Sequence, residues 1–459
     1  MRRRTLARTF IASAGMMAVG WAATNGAATA AGQRTTLVKG PKFTTVPYRT
    51  LGAPAGRSSP GTVGANVNIT HRTGAQSETT IAVDPMNKTH ILAASNDLSG
   101  SLSTKVYESL DKGHTWAVTF DTSPNFCYDP WLDFNSAGDM FFAYECSDQR
   151  IAYRKHGTSN WVSTVLVGSS LFPDRDQVNV DTTAGSPFKG SVYVGYDEAN
   201  AGNAAHLMYS RDGFGGWAKS PKINDTSATI GVNAATAPNG TVYATWLDYN
   251  GKKISVDKST DGGATWGTDH TVTNMRLPTQ NFFIFIPPQP DRGIVPMPFT
   301  DTAPAGTAFA GRLYAAYEDK DPTTADTNIY VRHSDDGGTT WSAEVKVNDD
   351  SVHAYQFFPA ISVSSNGTVG VSFYDTRNDQ PSNHKTDQFI AFSTNGGDAW
   401  SVNQKVTTAQ SDESGAGDRN DYGDYEGNDA FGAAKWRVVW TDSRPGNLAE
   451  DMYEAKARP

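Results

Sequence analysis

Ser259-Thr260-Asp261-Gly262-Gly263-Ala264-Thr265-Trp266 is the phrase that decides the fold, because the chain repeats it. It returns as Ser109-Leu110-Asp111-Lys112-Gly113-His114-Thr115-Trp116 and as Ser334-Asp335-Asp336-Gly337-Gly338-Thr339-Thr340-Trp341. With Asn in the Asp place it reads Ser393-Thr394-Asn395-Gly396-Gly397-Asp398-Ala399-Trp400. A degenerate copy, from Ser210 to Trp217, keeps Ser210 and Asp212 at the same offsets. Each is a hairpin turn by its chemistry. The Asp side chain bonds nearby backbone N–H groups, Gly supplies a positive φ, and Trp packs back onto the sheet.

Outward from the phrase, the same strands recur. A short alternating strand precedes each copy, as in Ile254-Ser255-Val256 and Ile329-Tyr330-Val331. Before it comes a second strand, clearest in Gly240-Thr241-Val242-Tyr243-Ala244-Thr245-Trp246, and before that an innermost one such as Ile81-Ala82-Val83. Apolar residues at period two, broken by Gly, Asn and Pro, predict antiparallel strands, and no segment holds a helical period. Two further units, around Ile151 and Met452, lack a good copy of the phrase, which makes seven. An all-β, seven-bladed β-propeller of four-stranded antiparallel blades is expected, with six blades as the alternative. The seventh unit ends before its fourth strand. Asn66-Val67-Asn68-Ile69 matches the fourth strands Lys222-Ile223-Asn224 and Lys346-Val347-Asn348, so an N-terminal strand is expected to close the last blade.

The remaining sequence bounds the class. Arg2, Arg3, Arg4 and Arg8 precede an apolar stretch and the small-residue end Ala28-Thr29-Ala30, the pattern of an export signal over residues 1–30. Residues 31–65 read as a linker and 66–459 as the propeller. Export implies a secreted protein, extracellular or periplasmic. The formal net charge is −9, and it becomes −13 once the four arginines of the signal are removed. Such a chain excludes nucleic acid and anionic membranes as ready partners. A monomer whose partner is a glycan or polysaccharide is expected. Cys127 and Cys146 lie equally far from the turn Asn135-Ser136-Ala137-Gly138, so they face each other across a hairpin, and a disulfide is expected. No His-x-x-x-His or Cys/His cluster signals a metal, and no cofactor is expected. Acidic loops such as Asp319-Lys320-Asp321 are compatible with a structural Ca²⁺ but lack the spacing of a known calcium loop.

The repeated phrase resembles the Asp box, or BNR repeat, of the sialidase-like propellers, over nearly all of the chain from residue 66. The resemblance implies that Asp111, Asp212, Asp261, Asp336 and Asn395 are structural, on turns facing away from the active site. It places function at the opposite, central mouth. There the loops hold carboxylates, tyrosines and a few arginines, a set suited to stacking on sugar rings and to paired-carboxylate glycoside chemistry. In six of the seven units an acid stands just past the end of the second strand (Asp97, Glu198, Asp248, Asp319, Asp375, Asp442), with Cys146 in the seventh place, and such a column reads first as a loop cap.

Departures from the repeat are better functional candidates. Asp424, Tyr425, Asp375 and Glu78 are the candidate catalytic residues, and Arg377, Arg444, Arg175, Tyr128 and His353 the candidate substrate-binding ones, with Arg419 a further cation for an acidic sugar. A loop of roughly 25 residues after Trp266, holding Phe282 to Ile286 and Asp291-Arg292, is expected to overhang the mouth. The sialidase Arg-Ile-Pro motif is absent from the equivalent stretch, Gln76 to Val83, which argues against a true sialidase. The favoured reading is a glycoside hydrolase acting on a complex or acidic glycan. A non-catalytic glycan- or protein-binding propeller and a polysaccharide lyase are the alternatives.

Overall fold

The computed structural model describes residues 57–459 apart from 73, 101, 227, 279–281, 325, 416–419 and 445–449, with the backbone alone at Asp176. The export signal, the linker up to residue 56 and Arg419 therefore lie outside the described residues.

Seven antiparallel blades form the molecule, and the two short 3-10 turns are its only helical elements among the described residues. The inner strands of blades 1 to 7 are Gln76–Val83, Tyr128–Phe134, Pro173–Val180, Thr229–Thr236, Phe299–Thr302, Gln356–Val363 and Asn428–Ala430. In blades 1 to 6 each sheet runs in chain order from the inner strand outward, so every connection is a hairpin. Blade 7 is closed as expected: Val67–Asn68 pairs with Glu454 and Tyr453 on the strand Asp451–Arg458. The closure extends further than the reading of 31–65 as linker allows. Thr62–Val63 also pairs with that strand, opposite Arg458 and Ala457. An open edge on the last blade carries unpaired N–H and C=O groups, so added chain is drawn onto it. The Arg57 guanidinium secures this arm on the carbonyls of Val347 and Ser401, each at 2.9 Å.

The box turns explain how blades are held together. Each joins the third strand to the fourth, and three are nearly superimposable in their bonding. Ser259 Oγ donates to Asp261 Oδ1 at 2.7 Å, Thr265 N–H to the same oxygen at 2.9 Å, and Trp266 Nε1–H to Gly263 O at 3.2 Å. Asp111 and Asp336 accept in the same way, and in the fourth copy Asn395 Oδ1 takes the Ala399 N–H at 3.0 Å. In the degenerate copy Asp212 still caps Phe214 N–H at 2.9 Å. The glycines of these turns lie on the preceding blade. A Cβ on Gly213 would meet Phe141 of blade 2 at 2.3 Å, and one on Gly338 would meet Val256 of blade 4 at 3.2 Å. Gly113 lies against Arg437 and Glu454 of blade 7, so one box spans the ring's closing seam.

Cys127 and Cys146 form the expected disulfide, with Cα atoms 4.1 Å apart. It staples the mouth end of the first hairpin of blade 2, beside a cavity of ≈ 470 Å³ walled by Phe120, Phe126 and Tyr144.

Candidate active site

One backbone irregularity builds the site. In blades 1, 2, 3, 4 and 6 the inner strand carries a bulge near its start, between Ser77/Thr80, Tyr128/Trp131, Asp174/Gln177, Ile230/Asn233 and Phe357/Ala360. The first bulged residue is left-handed in every case: Glu78 (φ 55), Asp129 (φ 54), Arg175 (φ 67), Gly231 (φ 69) and Phe358 (φ 49). Counting the same offset from the paired residues in the other two blades gives Met297 and Tyr425. A bulge re-aims the side chain it carries. Here the seven equivalent positions hold seven different residues, and they converge on the axis.

The contacts show the convergence. Arg175 packs its guanidinium over the Tyr425 ring at 4.8 Å, and its Nε lies 3.3 Å from Met297 Sδ. A Cβ on Gly231 would meet Met297 Cγ at 2.5 Å. Arg175 Nη1 is 3.7 Å from Asp129 Oδ1 and 3.4 Å from Asp424 Oδ2. A non-glycine residue in the left-handed region costs about 1–2 kcal/mol. Four of the five bulges bear that cost, and such strain collects where function requires it.

The insertion after blade 4 supplies the roof. Ile284–Ile286 and Gln289–Ile294 form a hairpin. Its root packs through Phe282, Ile284 and Ile286, all buried, while Phe285 is exposed. Buried Gln289 fastens the hairpin across the mouth to the entry of blade 7: its Nε2 donates to Gly423 O at 2.6 Å and its Oε1 accepts from Tyr422 N–H at 3.1 Å. The N–H groups of Asp291 and Arg292 both donate to Asp421 Oδ2 at 3.1 Å. The hairpin thereby delivers Arg292 to the axis, where Nε donates to Asp424 Oδ1 at 2.8 Å and Nη2 reaches Glu78 Oε1 at 3.3 Å and Asp424 Oδ2. The overhanging loop was legible in the sequence; Arg292 as its working residue was not.

Glu78 and Asp424 are both buried, yet their carboxyls shift in opposite directions. Burial, with Asp129 and Asp424 as neighbouring negative charges, pushes Glu78 well above the usual carboxylate range despite Arg292. Burial also acts on Asp424, but Arg292 and Arg175 outweigh it and hold the carboxyl below its ordinary value. On a shared guanidinium, the surroundings thus favour the protonated form of Glu78 and the ionised form of Asp424. Asn96 Nδ2 adds a donor to Glu78 Oε2 at 2.6 Å. Asp129 is raised to about 6, chiefly by burial.

Of the nine candidates, Glu78, Asp424, Tyr425 and Arg175 meet in this cluster. Tyr425 is a packing and positioning group here: its hydroxyl donates to Pro130 O at 2.9 Å, and its ring lies 5.2 Å from that of Trp131. Tyr128 is buried on the same inner strand as Asp129, its ring 5.6 Å from that of Phe126. His353 Nδ1 bonds Asp326 Oδ2 at 2.8 Å. Asp375 and the two other arginines belong to the capping column. Arg377 holds Asp375 through Nη2 at 2.6 Å and Asp349 at 2.5 Å. Arg444 holds Asp442 at 2.5 Å and Asn66 of the N-terminal arm at 3.0 Å.

Strand alternation explains why that column caps loops. Neighbouring residues of a strand face opposite ways. The recurring acids Asp97, Asp248 and Asp319 bond local N–H groups or the cations Arg72, Lys253 and Arg276. The residues one place earlier (Asn96, Glu145, Asp197 and Glu318) turn toward the axial cluster. Burial raises Asp197 well above its usual range, with Asp174 and Asp129 adding to it. It raises Glu318 likewise. Glu145 escaped the sequence reading because the column place beside it holds Cys146, which was read for its disulfide.

No protein-family model matches the sequence, and no curated protein matches it either. Solved structures resemble it in fold. YCF48 bound to D1 peptide is 12% identical over 89% of this chain and 100% of its own, with a TM-score of 0.49. An α-L-arabinofuranosidase of Fusarium graminearum is 13% identical over 86% of this chain and 98% of its own, TM-score 0.45. A Hadza microbial sialidase is 17% identical over 65% of this chain, which spans only 63% of that protein, TM-score 0.45. These are likenesses of fold. The chain's own blade order makes it a seven-bladed β-propeller of four-stranded antiparallel blades.

Proposed function

We propose that the protein is an exported glycoside hydrolase whose reaction centre is the axial cluster under the hairpin. The observation that carries this reading is the pair Glu78 and Asp424, two buried carboxyls on one guanidinium with opposite shifts. A pair of titratable groups driven apart by their surroundings is what acid–base division of labour requires. Glu78, protonated, gives its proton to the glycosidic oxygen as the bond from that oxygen to the anomeric carbon breaks. Because both carboxyls bond the same Nη2 of Arg292, their separation is the short one of a retaining pair: Asp424, ionised, bonds the anomeric carbon as the leaving oxygen departs, and a water that gives its proton to Glu78 then bonds that carbon and releases Asp424. Arg175 and Arg292 make the site suited to a sugar that itself carries a carboxylate.

The reading is tested on the purified protein with a panel of neutral and acidic polysaccharides and aryl glycosides, read by release of reducing ends. Glu78→Gln and Asp424→Asn are assayed beside it. Hydrolysis that disappears in both variants supports the proposal. An unsaturated, ultraviolet-absorbing product would mean elimination instead. Binding without turnover would make this a glycan-binding propeller.

A further inference from the structure

Next to the axial pair lies a second acidic group that the hydrolytic reading does not use. Asp129 and Glu145 of blade 2 and Asp174 of blade 3 each bring one carboxylate oxygen to within 4.8 Å of the others. All three are buried, at 6%, 1% and 3% exposure. A cluster of acids alone proves little, but Asp197 adds an independent observation. It is fully buried, and among the described residues neither of its carboxylate oxygens has a hydrogen-bond partner. Asp197 is the cross-strand partner of Asp174 in the hairpin of blade 3. Directly opposed residues of an antiparallel pair project from the same face, with their Cβ atoms about 5 Å apart. The orphaned carboxylate therefore points where Asp174 points, and Asp174 Oδ2 is itself without a partner.

Counting charges sharpens the point. Four carboxylates gather here, and among the described residues Arg175, 3.7 Å from Asp129, is shared with Asp424, while Arg292, which also acts on Asp174, is bonded to Asp424 and Glu78. Buried charges persist only when paired or coordinated to a metal. The donors are all carboxylate oxygens, with no His or Cys among them, which selects a hard cation over zinc or copper. A set of four carboxylates suits Ca²⁺, which takes six to eight oxygen ligands in a flexible geometry, better than Mg²⁺, which keeps several waters and binds through one or two carboxylates.

We propose that Asp129, Glu145, Asp174 and Asp197 bind a Ca²⁺ ion at the seam between blades 2 and 3. The ion joins two neighbouring blades close to the axis, and its binding is independent of whether Glu78 and Asp424 perform chemistry. The test uses the whole protein stripped with chelator, followed by thermal unfolding and calorimetric titration with Ca²⁺ alone, with Mg²⁺ alone and with neither. Ca²⁺ is expected to bind with a stoichiometry of one and to raise Tm saturably, and Mg²⁺ to do so at least tenfold more weakly. Asp174→Asn and Asp197→Asn are expected to lose that response at least tenfold, while Asp321→Asn, in a surface loop of blade 5, keeps it. Absence of Ca²⁺ binding by the stripped wild-type protein would overturn the proposal whatever the variants do. So would a full Ca²⁺ response in both Asn variants, or an equal response to Mg²⁺.

Discussion

Glu78 and Asp424 meet the same guanidinium, that of Arg292, although they lie on blades 1 and 7 and the arginine lies on a hairpin inserted after blade 4. Three distant stretches thus build one charge unit. If it performs the proposed hydrolysis, Glu78→Gln lowers kcat by about a hundred- to ten-thousand-fold, the usual contribution of a positioned acid. The wild-type rate falls as pH rises through the elevated Glu78 pKa, because the proton donor is lost. It falls at low pH as Asp424 takes up its proton. A pH–rate profile checks both limbs.

Arg292→Met removes the cation that counts most in keeping Asp424 ionised. The acidic limb of that profile is expected to move upward in pH, while unfolding stays cooperative. A profile unchanged from wild type would show that Arg292 does not set the charge of Asp424.

Gln289 is the bolt of the hairpin, with partners on both blade 7 and its own Gly293. Gln289→Ala leaves Tyr422 N–H and Gly423 O unpaired, at a cost of about 1–3 kcal/mol for each buried group. Limited proteolysis within residues 284–294 is expected to accelerate at least tenfold, read by mass spectrometry, with global Tm lowered only slightly.

Glu426 tests the pH dependence of stability away from the site. It is fully buried, accepts from Thr79, Tyr374 and Thr441 N–H, and is raised to about 8, chiefly by burial. A raised carboxyl binds its proton more tightly when folded, so its contribution is complete below pH 4.5 and is lost as pH climbs toward 8. That loss amounts to about 3 kcal/mol by neutral pH, at about 1.4 kcal/mol per pH unit. Glu426→Gln keeps one acceptor oxygen for Tyr374 and Thr441 N–H, places an N–H donor toward the Thr79 hydroxyl, and removes the titration. Denaturant unfolding across this pH range should show a flatter profile in the variant.

Asp336 tests the box turn. Asp336→Ala frees Thr340 N–H and its hydroxyl, at an expected cost of about 1–2 kcal/mol, while Asp336→Asn costs less because Asn395 already serves in the sister turn. Catalysis should be unaffected by either substitution, as the turn lies at the end of the blade away from the mouth.

Local chemistry determined much of this protein from its sequence. The Ser-x-Asp-x-Gly turns, the period-two strands and the matching fourth strand at Val67 depend on bonds within a few residues or on one repeated pairing. They gave seven blades, the closure of the ring and the Cys127–Cys146 bridge. The mouth was legible as a region for the same reason: Glu78 and Arg175 were read among its loops, and Asp424 and Tyr425 stood out as a departure from the repeat. The tertiary structure decided which acids face the axis. Bulges at the starts of five inner strands aim Glu78, Asp129 and Arg175 at the axis, and a one-residue alternation at the second-strand exits turns Glu145 and Asp197 inward while Asp375 and Asp442 cap loops. A single-residue shift of register reverses the direction of a side chain and leaves no trace in composition. The pairing of Arg292 with Glu78 and Asp424 spans 214 and 132 residues of chain, and only ring closure sets that proximity.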